Sequence, residues 1–368
     1  MHLYIHVPFC ARRCSYCDFA IAVRRDIPET AFVNAVLHEW SGWQAHPWWE
    51  ASPSIASIYF GGGTPSRLSP SGLGAILSRI RGDRQVATEP EVTLEANPDD
   101  VSEAAADAWL ALGINRVSLG AQSFSAAALS WMHRTHDTDQ IEKAAGALRK
   151  AGFQNWSLDL IYALPDSIPR DWPADLSRAL ALEPNHLSLY ALTVEQGTPL
   201  GRWTARGEAL PAPEERAAGE FLFAHQTLST AGFEHYEVSN WALPGFRSRH
   251  NSAYWLRRPF IGLGPSAHSG NGPVRCWNVR EWEEYRRRAD LAQGVRADLE
   301  TLNPDQIALE ELYLGLRTAE GVPGVLIPGS QSKRWLESGW AEERADRIAL
   351  TPEGWLRLDA LVASLTRC

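Results

Sequence analysis

Three of the chain's five cysteines fall within eight positions, in the stretch FCARRCSYCDF: Cys10, Cys14 and Cys17. The spacing is C-x3-C-x2-C. Thiolates are soft metal ligands, and this density at one place points to a metal site rather than to scattered core thiols. Zinc closes its tetrahedron with a fourth ligand, usually from a second C-x2-C or a His pair. No such motif follows, and Cys276, Cys368 and the histidines show no ligand spacing. A cubane iron–sulfur cluster on three thiolates would instead leave one iron open to an exchangeable ligand. Zinc stays the alternative at this point.

The elements that must position these cysteines follow a repeating pattern. Six runs read as strands: LYIHVPF (3–9), SIYFGGGTP (57–65), VTLEANP (92–98), RVSLGAQS (116–123), WSLDLIYALP (156–165) and HLSLYALT (186–193). Helix-compatible segments at 28–43, 69–81, 101–112, 139–151 and 170–182 separate them. Strands alternating with helices predict a parallel sheet with crossover helices, and six such units suit a partial barrel. A doubly wound sheet is the other possibility. The first run leads into the cysteines and the second into Gly61, Gly62, Gly63 and Thr64. The third carries Glu95 and Asn97, the fourth ends in Gln122 and Ser123, and the fifth carries Asp159. In a barrel those strand ends share one rim. A single polar group there is commonly a satisfied core residue. Recurrence at equivalent strand ends predicts a ligand site.

The bulk properties narrow the class. At 368 residues the chain has room for one large domain and a smaller body. A net charge of −9 gives no electrostatic reason to expect a nucleic-acid partner. No apolar run reaches membrane-spanning length, the N-terminus lacks a signal-peptide layout, and the cysteine usage is not that of a secreted disulfide framework. The expected location is cytoplasmic. Three regions are expected: 1–230 as the barrel, 231–300 as a strand-and-loop cover carrying HNSAYW, and 301–368 as a helical body. In the last, Asn303 and Pro304 form an N-cap and first-turn pair, and RIAL followed by TPEG suggests a winged-helix arrangement. The sixteen tryptophans read mostly as packing material.

YIHVPFCARRCSYCDF, YFGGGTPS and LEANP together resemble the radical S-adenosylmethionine (SAM) superfamily, and within it the oxygen-independent coproporphyrinogen III oxidases and their relatives. GINRVSLGAQSF and SLDLIYALP extend the likeness, which covers roughly residues 1–360. The resemblance implies an α/β fold, a partial (β/α)6 TIM-like barrel with a smaller mixed C-terminal domain ending in a winged-helix-like bundle. It implies a [4Fe–4S] cluster on Cys10, Cys14 and Cys17 whose unique iron chelates the methionyl amino and carboxylate groups of SAM. Tyr4 and Tyr16 match SAM-contacting positions. Gly62, Gly63 and Thr64 would admit the methionyl amine, Glu95 and Gln122 would hydrogen-bond SAM, Arg134 would pair with its carboxylate, and Asp159 would accept from the ribose. If SAM is cleaved, an electron donor such as a flavodoxin would reduce the cluster and a 5′-deoxyadenosyl radical would form. Two positions depart from the family: His133 and Ala163 stand where glycine is usual.

Two activities remain at this stage. The decarboxylating oxidases carry a further cysteine where this chain has Phe19, and an N-terminal extension ahead of the cluster, whereas only nine residues precede Cys10. HNSAYW matches the H-N-x-x-Y-W signature of HemW-type haem chaperones. The first expectation is therefore a haem chaperone-like protein with a cluster, SAM, and haem or another porphyrin as cargo. Its recipients would be client haemoproteins, some of them membrane-associated. The alternatives are coproporphyrinogen III oxidation and a radical SAM reaction on another substrate, so enzyme status stays open. His250 is the soft ligand of HNSAYW and the candidate haem ligand. A histidine hydrogen-bonded in inter-domain packing is the competing assignment.

Overall fold

Across the middle of one sheet, six parallel strands stand side by side in chain order: β1 (His2–Val7), β2 (Ile55–Gly62), β3 (Val86–Ala96), β4 (Arg116–Gln122), β5 (Trp156–Tyr162) and β6 (His186–Ala191). This computed structural model describes residues 1–365, so Cys368 lies outside them. The helices between the strands are α1 (Glu29–Trp43), α2 (Pro70–Asp83), α3 (Glu103–Ala111), α4 (Thr138–Ala151) and α5 (Trp172–Ala181). A doubly wound sheet reverses its strand order at a switch point. This order never reverses, which is the winding of a partial barrel.

Side-chain alternation follows. Leu3, Ile5 and Val7 of β1 are fully buried in the hydrophobic core, while His2, Tyr4 and His6 lie on the opposite, inner face. Local chemistry starts the helices where the sequence places capping residues. Ser69 accepts from the Gly72 N–H ahead of α2, and Asp137 forms a capping box with Gln140 ahead of α4. Gly152 ends α4 at φ 97°, a left-handed conformation in which a side chain would be strained.

Residues 231–300 extend the same sheet. β7 (Glu234–Glu237) and β8 (Asn240–Ala242) run antiparallel beyond β6. β9 (Phe260–Leu263) pairs parallel with β1 as a seventh parallel strand, and β10 (His268–Asn271), β11 (Val274–Asn278) and β12 (Arg296–Thr301) follow antiparallel. Two edges of a six-stranded partial barrel would expose unpaired N–H and C=O groups, and this segment covers both. Short β-prone runs cannot reveal which edge they will meet.

HNSAYW forms α6 (Arg249–Trp255). The C-terminal body contains α7 (Pro304–Leu316), β13 (Val322–Pro323), α8 (Gly329–Glu337), the hairpin β14 (Ala341–Arg344) and β15 (Arg347–Leu350), and α9 (Leu358–Leu365). This is the expected winged-helix-like arrangement. Asn303 and Gln306 make a capping box with Pro304 in the first turn of α7. The body docks on β7 through the Arg317–Glu237 ion pair at 2.9 Å and through Trp355, edge-on to His235 at 4.4 Å. Among the described residues no helix is long and apolar enough to cross a membrane.

Candidate functional site

The cysteine loop is held at both ends and in the middle. Phe9, just before Cys10, packs edge-on to Phe32 at 5.6 Å and Trp282 at 5.2 Å. The Ala22 N–H donates to the Pro8 carbonyl at 2.7 Å and the Arg24 N–H to the Cys10 carbonyl at 2.9 Å, which closes the loop. In its middle, the Ser15 N–H donates to the Met132 carbonyl and the Leu200 N–H to the Ser15 carbonyl. The chain thereby presents Cys10, Cys14 and Cys17 to a cavity of about 590 Å³ at the C-terminal rim of the parallel strands. That is an ordinary volume for a small-molecule site.

The strand ends converge there as expected. Tyr16, Gly62, Gly63, Thr64, Glu95, Gln122, Arg134 and Asp159 all line this cavity together with the three cysteines. Glu95 accepts from the Tyr59 hydroxyl at 2.8 Å and the Gly62 N–H at 3.0 Å, and burial pushes its carboxyl up to about 7. Asp159 accepts from Ser118 Oγ at 2.9 and 3.0 Å, and burial raises its pKa as well. Thr64 Oγ1 donates to Cys10 Sγ at 3.5 Å. Arg134 is held by three hydrogen bonds. Its Nη1 donates to Cys14 Sγ at 3.4 Å, its Nη2 donates to Asn97 Oδ1 and the Gly120 carbonyl at 2.6 and 3.0 Å, and its Nε is buried without a partner.

The glycine turn has a second reason for its composition. Gly62 has φ 113°, and a Cβ there would meet His6 at 2.5 Å; at Gly63 it would meet the Pro8 backbone at 2.8 Å. The chain's own packing already requires both glycines. The two departures from the family pattern adopt the backbone that glycine favours: His133 has φ 60° and Ala163 φ 58°. Each L-residue in this region carries strain of roughly 1–2 kcal/mol. The backbone path is kept and the side chain is added.

Two expected site residues lie elsewhere. Tyr4 bonds His6 Nδ1 through its hydroxyl at 3.1 Å and lines a smaller adjoining pocket of about 420 Å³, which shares Gly62, Glu95, Asp18 and Phe19 with the main cavity. His250 lies away from the cavity. It is 1% exposed at the N-terminal floor of the barrel, with Nδ1 bonded to Ser57 Oγ at 2.7 Å and Nε2 to the Tyr254 hydroxyl at 2.9 Å. It lies stacked on Tyr59 at 4.9 Å, and burial lowers its pKa well below the usual histidine range. Both ring nitrogens are engaged here, which is the arrangement expected of the packing role. In HNSAYW, Trp255 instead lies under the Arg317 guanidinium at 4.4 Å.

Sequence reasoning passed over Tyr59, Asn97 in its pairing with Arg134, Ser118 and Tyr190, all on the cavity wall. Strand periodicity could have found three of them. Tyr59 lies two residues before Gly61, Ser118 four before Gln122, and Tyr190 two after Ser188, each on the inner face.

The donor set fits an iron–sulfur cluster. Burial raises the Cys10 thiol and pushes Cys17 up to about 11, so thiolates here need a bound cation to balance them. Among the described residues no three His, Cys, Asp or Glu side chains converge tightly enough for a single ion. The three cysteines line one cavity, and three thiolates are the protein ligands of a cluster that keeps one iron open.

A partial barrel with three thiols and a glycine turn on its rim defines a radical SAM scaffold. A sequence model of the radical SAM superfamily matches residues 4–178. The heme chaperone HemW of Synechocystis sp. is 38% identical over 333 residues, covering 88% of this chain and 80% of that protein. The heme chaperone HemW of Escherichia coli is 35% identical over 375 aligned positions, covering 98% and 97%. The solved coproporphyrinogen III oxidase (HemN) of Escherichia coli, a radical SAM enzyme, superposes with TM-score 0.82 over 99% of this chain and 89% of that one. At 20% identity that likeness concerns the fold alone. The chain belongs to the radical SAM superfamily and, within it, to the HemW family.

Proposed function

We propose that this protein is a haem chaperone built on a radical SAM scaffold, which binds haem and passes it to haemoproteins in the cytoplasm or at a membrane surface. The observation that carries the reading is near-full-length similarity to HemW proteins, together with a rim cavity that holds three uncommitted thiols. Cys10, Cys14 and Cys17 would hold a [4Fe–4S] cluster, which when bound supplies an open iron for SAM and a route for one electron. Thr64 and Arg134 would orient the cluster by donating to Cys10 and Cys14. Glu95, Gln122, Tyr16 and the Gly62–Gly63 backbone would bind the methionyl part of SAM, and Asp159 its ribose. Tyr4 would act from behind, through its contact with His6. Phe19, 59% exposed at the cavity edge, offers a flat apolar surface where the oxidases have a thiol.

The test is anaerobic. The cluster-reconstituted protein is titrated with haem and, separately, incubated with SAM, reductant and coproporphyrinogen III. Haem binding near one equivalent with no protoporphyrinogen supports the proposal. Turnover would overturn it in favour of the oxidase.

A further inference from the structure

Arg116 opens β4 and is 1% exposed. Strand alternation puts it on the same inner face as Ser118, Gly120 and Gln122, all of which line the main cavity above it. Its Nε is buried without a partner, and no hydrogen bond or ion pair among the described residues engages the guanidinium. A buried cation is normally balanced by a carboxylate in direct contact. Here that contact is missing.

Two of the acids around it are already committed. Glu91 accepts from the Arg249 and His250 N–H groups, and Glu237 pairs with Arg317. Glu95 and Asp159 have no ion pair among the described residues. Glu95 accepts from Tyr59 and the Gly62 N–H, and Asp159 from the hydroxyls of Ser118 and Ser157. Strand register sets the separation. Thr93 stands beside Arg116, and Glu95 beside Ser118, which itself donates to Asp159. Arg116 therefore lies two residues, roughly 7 Å along the strand, below the layer that holds Glu95 and Ser118. That is too far for a hydrogen bond and close enough for attraction through a closed interior.

The other titratable groups facing this space carry no charge. Burial raises the phenols of Tyr4, Tyr59, Tyr190 and Tyr254 around the two acids, and lowers the imidazoles of His186 and His250 near Arg116. Burial also raises both carboxyls, and the Arg116 charge works against that rise. A carboxylate only accepts hydrogen bonds, whereas a protonated carboxyl turns a donor toward a ligand that is itself donating.

We infer that Arg116 is a positioning residue for the cofactor: its buried charge, committed to no single partner, holds Glu95 and Asp159 in the ionised form that accepts from the ammonium and ribose hydroxyls of SAM. The inference rests on the assignment of this cavity to SAM made above. Arg116 touches neither the ligand nor the cysteines and acts through the two acids.

The experiment measures SAM binding by titration calorimetry between about pH 6 and 9 on anaerobically reconstituted wild type, Arg116→Met and Arg116→Gln, with iron content and urea unfolding recorded for each. Removing a buried, unpaired cation is expected to leave the fold as stable or more so. The ionisation of SAM itself is common to all three proteins. Support would be a rise of affinity with pH whose midpoint moves up by at least about half a unit in both variants, with binding at pH 7 at least about threefold weaker and recovering at high pH. An unchanged midpoint in both variants would overturn the inference and leave the SAM assignment standing. A loss of affinity of equal size at every pH, or a loss of cluster iron or of folded protein in both variants, would also overturn it by making Arg116 a purely structural residue. Absence of SAM binding in wild type would defeat the cofactor assignment itself.

Discussion

The two ends of the barrel interior are built from the same kinds of residue and behave differently. At the floor, His2 bonds Ser57, Ser57 bonds His250, and His250 bonds Tyr254. Beside them Ser157, His186 and Tyr236 form a second chain, and Glu91 accepts from the Arg249 and His250 N–H groups at the start of α6. Most of the polar groups there pair with one another, with Arg116 Nε and Thr93 Oγ1 as buried exceptions. At the rim, thiols, carboxylates and Arg134 are only partly paired and open on a cavity. Polar residues on the inner face of a strand mark a binding site where space remains beside them. Where their hydrogen bonds close on one another they are structure.

The largest test of that contrast removes a thiol. Cys14→Ser should lower bound iron after reconstitution from on the order of four atoms per chain to near none, measured by iron analysis. His250→Ala should do the reverse: iron content is kept while urea unfolding shows a loss of about 2–4 kcal/mol, from a cavity and stranded hydroxyls at Ser57 and Tyr254. Unchanged stability with lost haem binding would return His250 to the list of haem ligands.

A pH series comes next. Glu39, which accepts from the Gly264 N–H, Asn278 and Tyr285, and Glu95 are both raised by burial from 4.5 to about 7. A carboxyl raised in the folded state binds protons more readily there than in the unfolded chain. Stability should therefore fall as pH rises from about 4.5 to 7, by on the order of 1–3 kcal/mol per group. Glu39→Gln should flatten its share of that slope in denaturant titrations, and an unchanged slope would remove Glu39 as its source.

The smallest effect is at Ala163, whose N–H donates to Glu220 and whose φ is 58°. Ala163→Gly relieves the strained backbone and loosens the unfolded chain. The balance should be a gain of up to about 1 kcal/mol, read as a rise of roughly 2–4 °C in Tm. A loss would mean that the alanine methyl packs more tightly than its backbone strains.

Much of the site was legible because it is written locally. The cysteine spacing, the GGGTP turn and the polar residues closing each apolar run all lie within short windows, and parallel strands carry their ends to the same rim. The five crossover helices and five of the six strands appear within a few residues of their expected ranges, since period and caps specify them, while the third strand begins six residues early at Val86. The place of Tyr4 was not legible, and for His250 the sequence left a ligand and a packing role side by side. Both are polar residues near motif positions, and nothing in HNSAYW says that Ser57, 193 residues away in sequence, will take the Nδ1 nitrogen.

The sequence by itself determined the cysteine cluster, the alternation of strands and helices and the polar residues that close each strand, because those depend on side-chain type and local spacing. Tertiary structure decided that the strand order never reverses, which edges the strands of 231–300 would cover and which imidazoles would be consumed. Those outcomes depend on which distant groups arrive within hydrogen-bond reach, and sequence spacing carries no record of that distance.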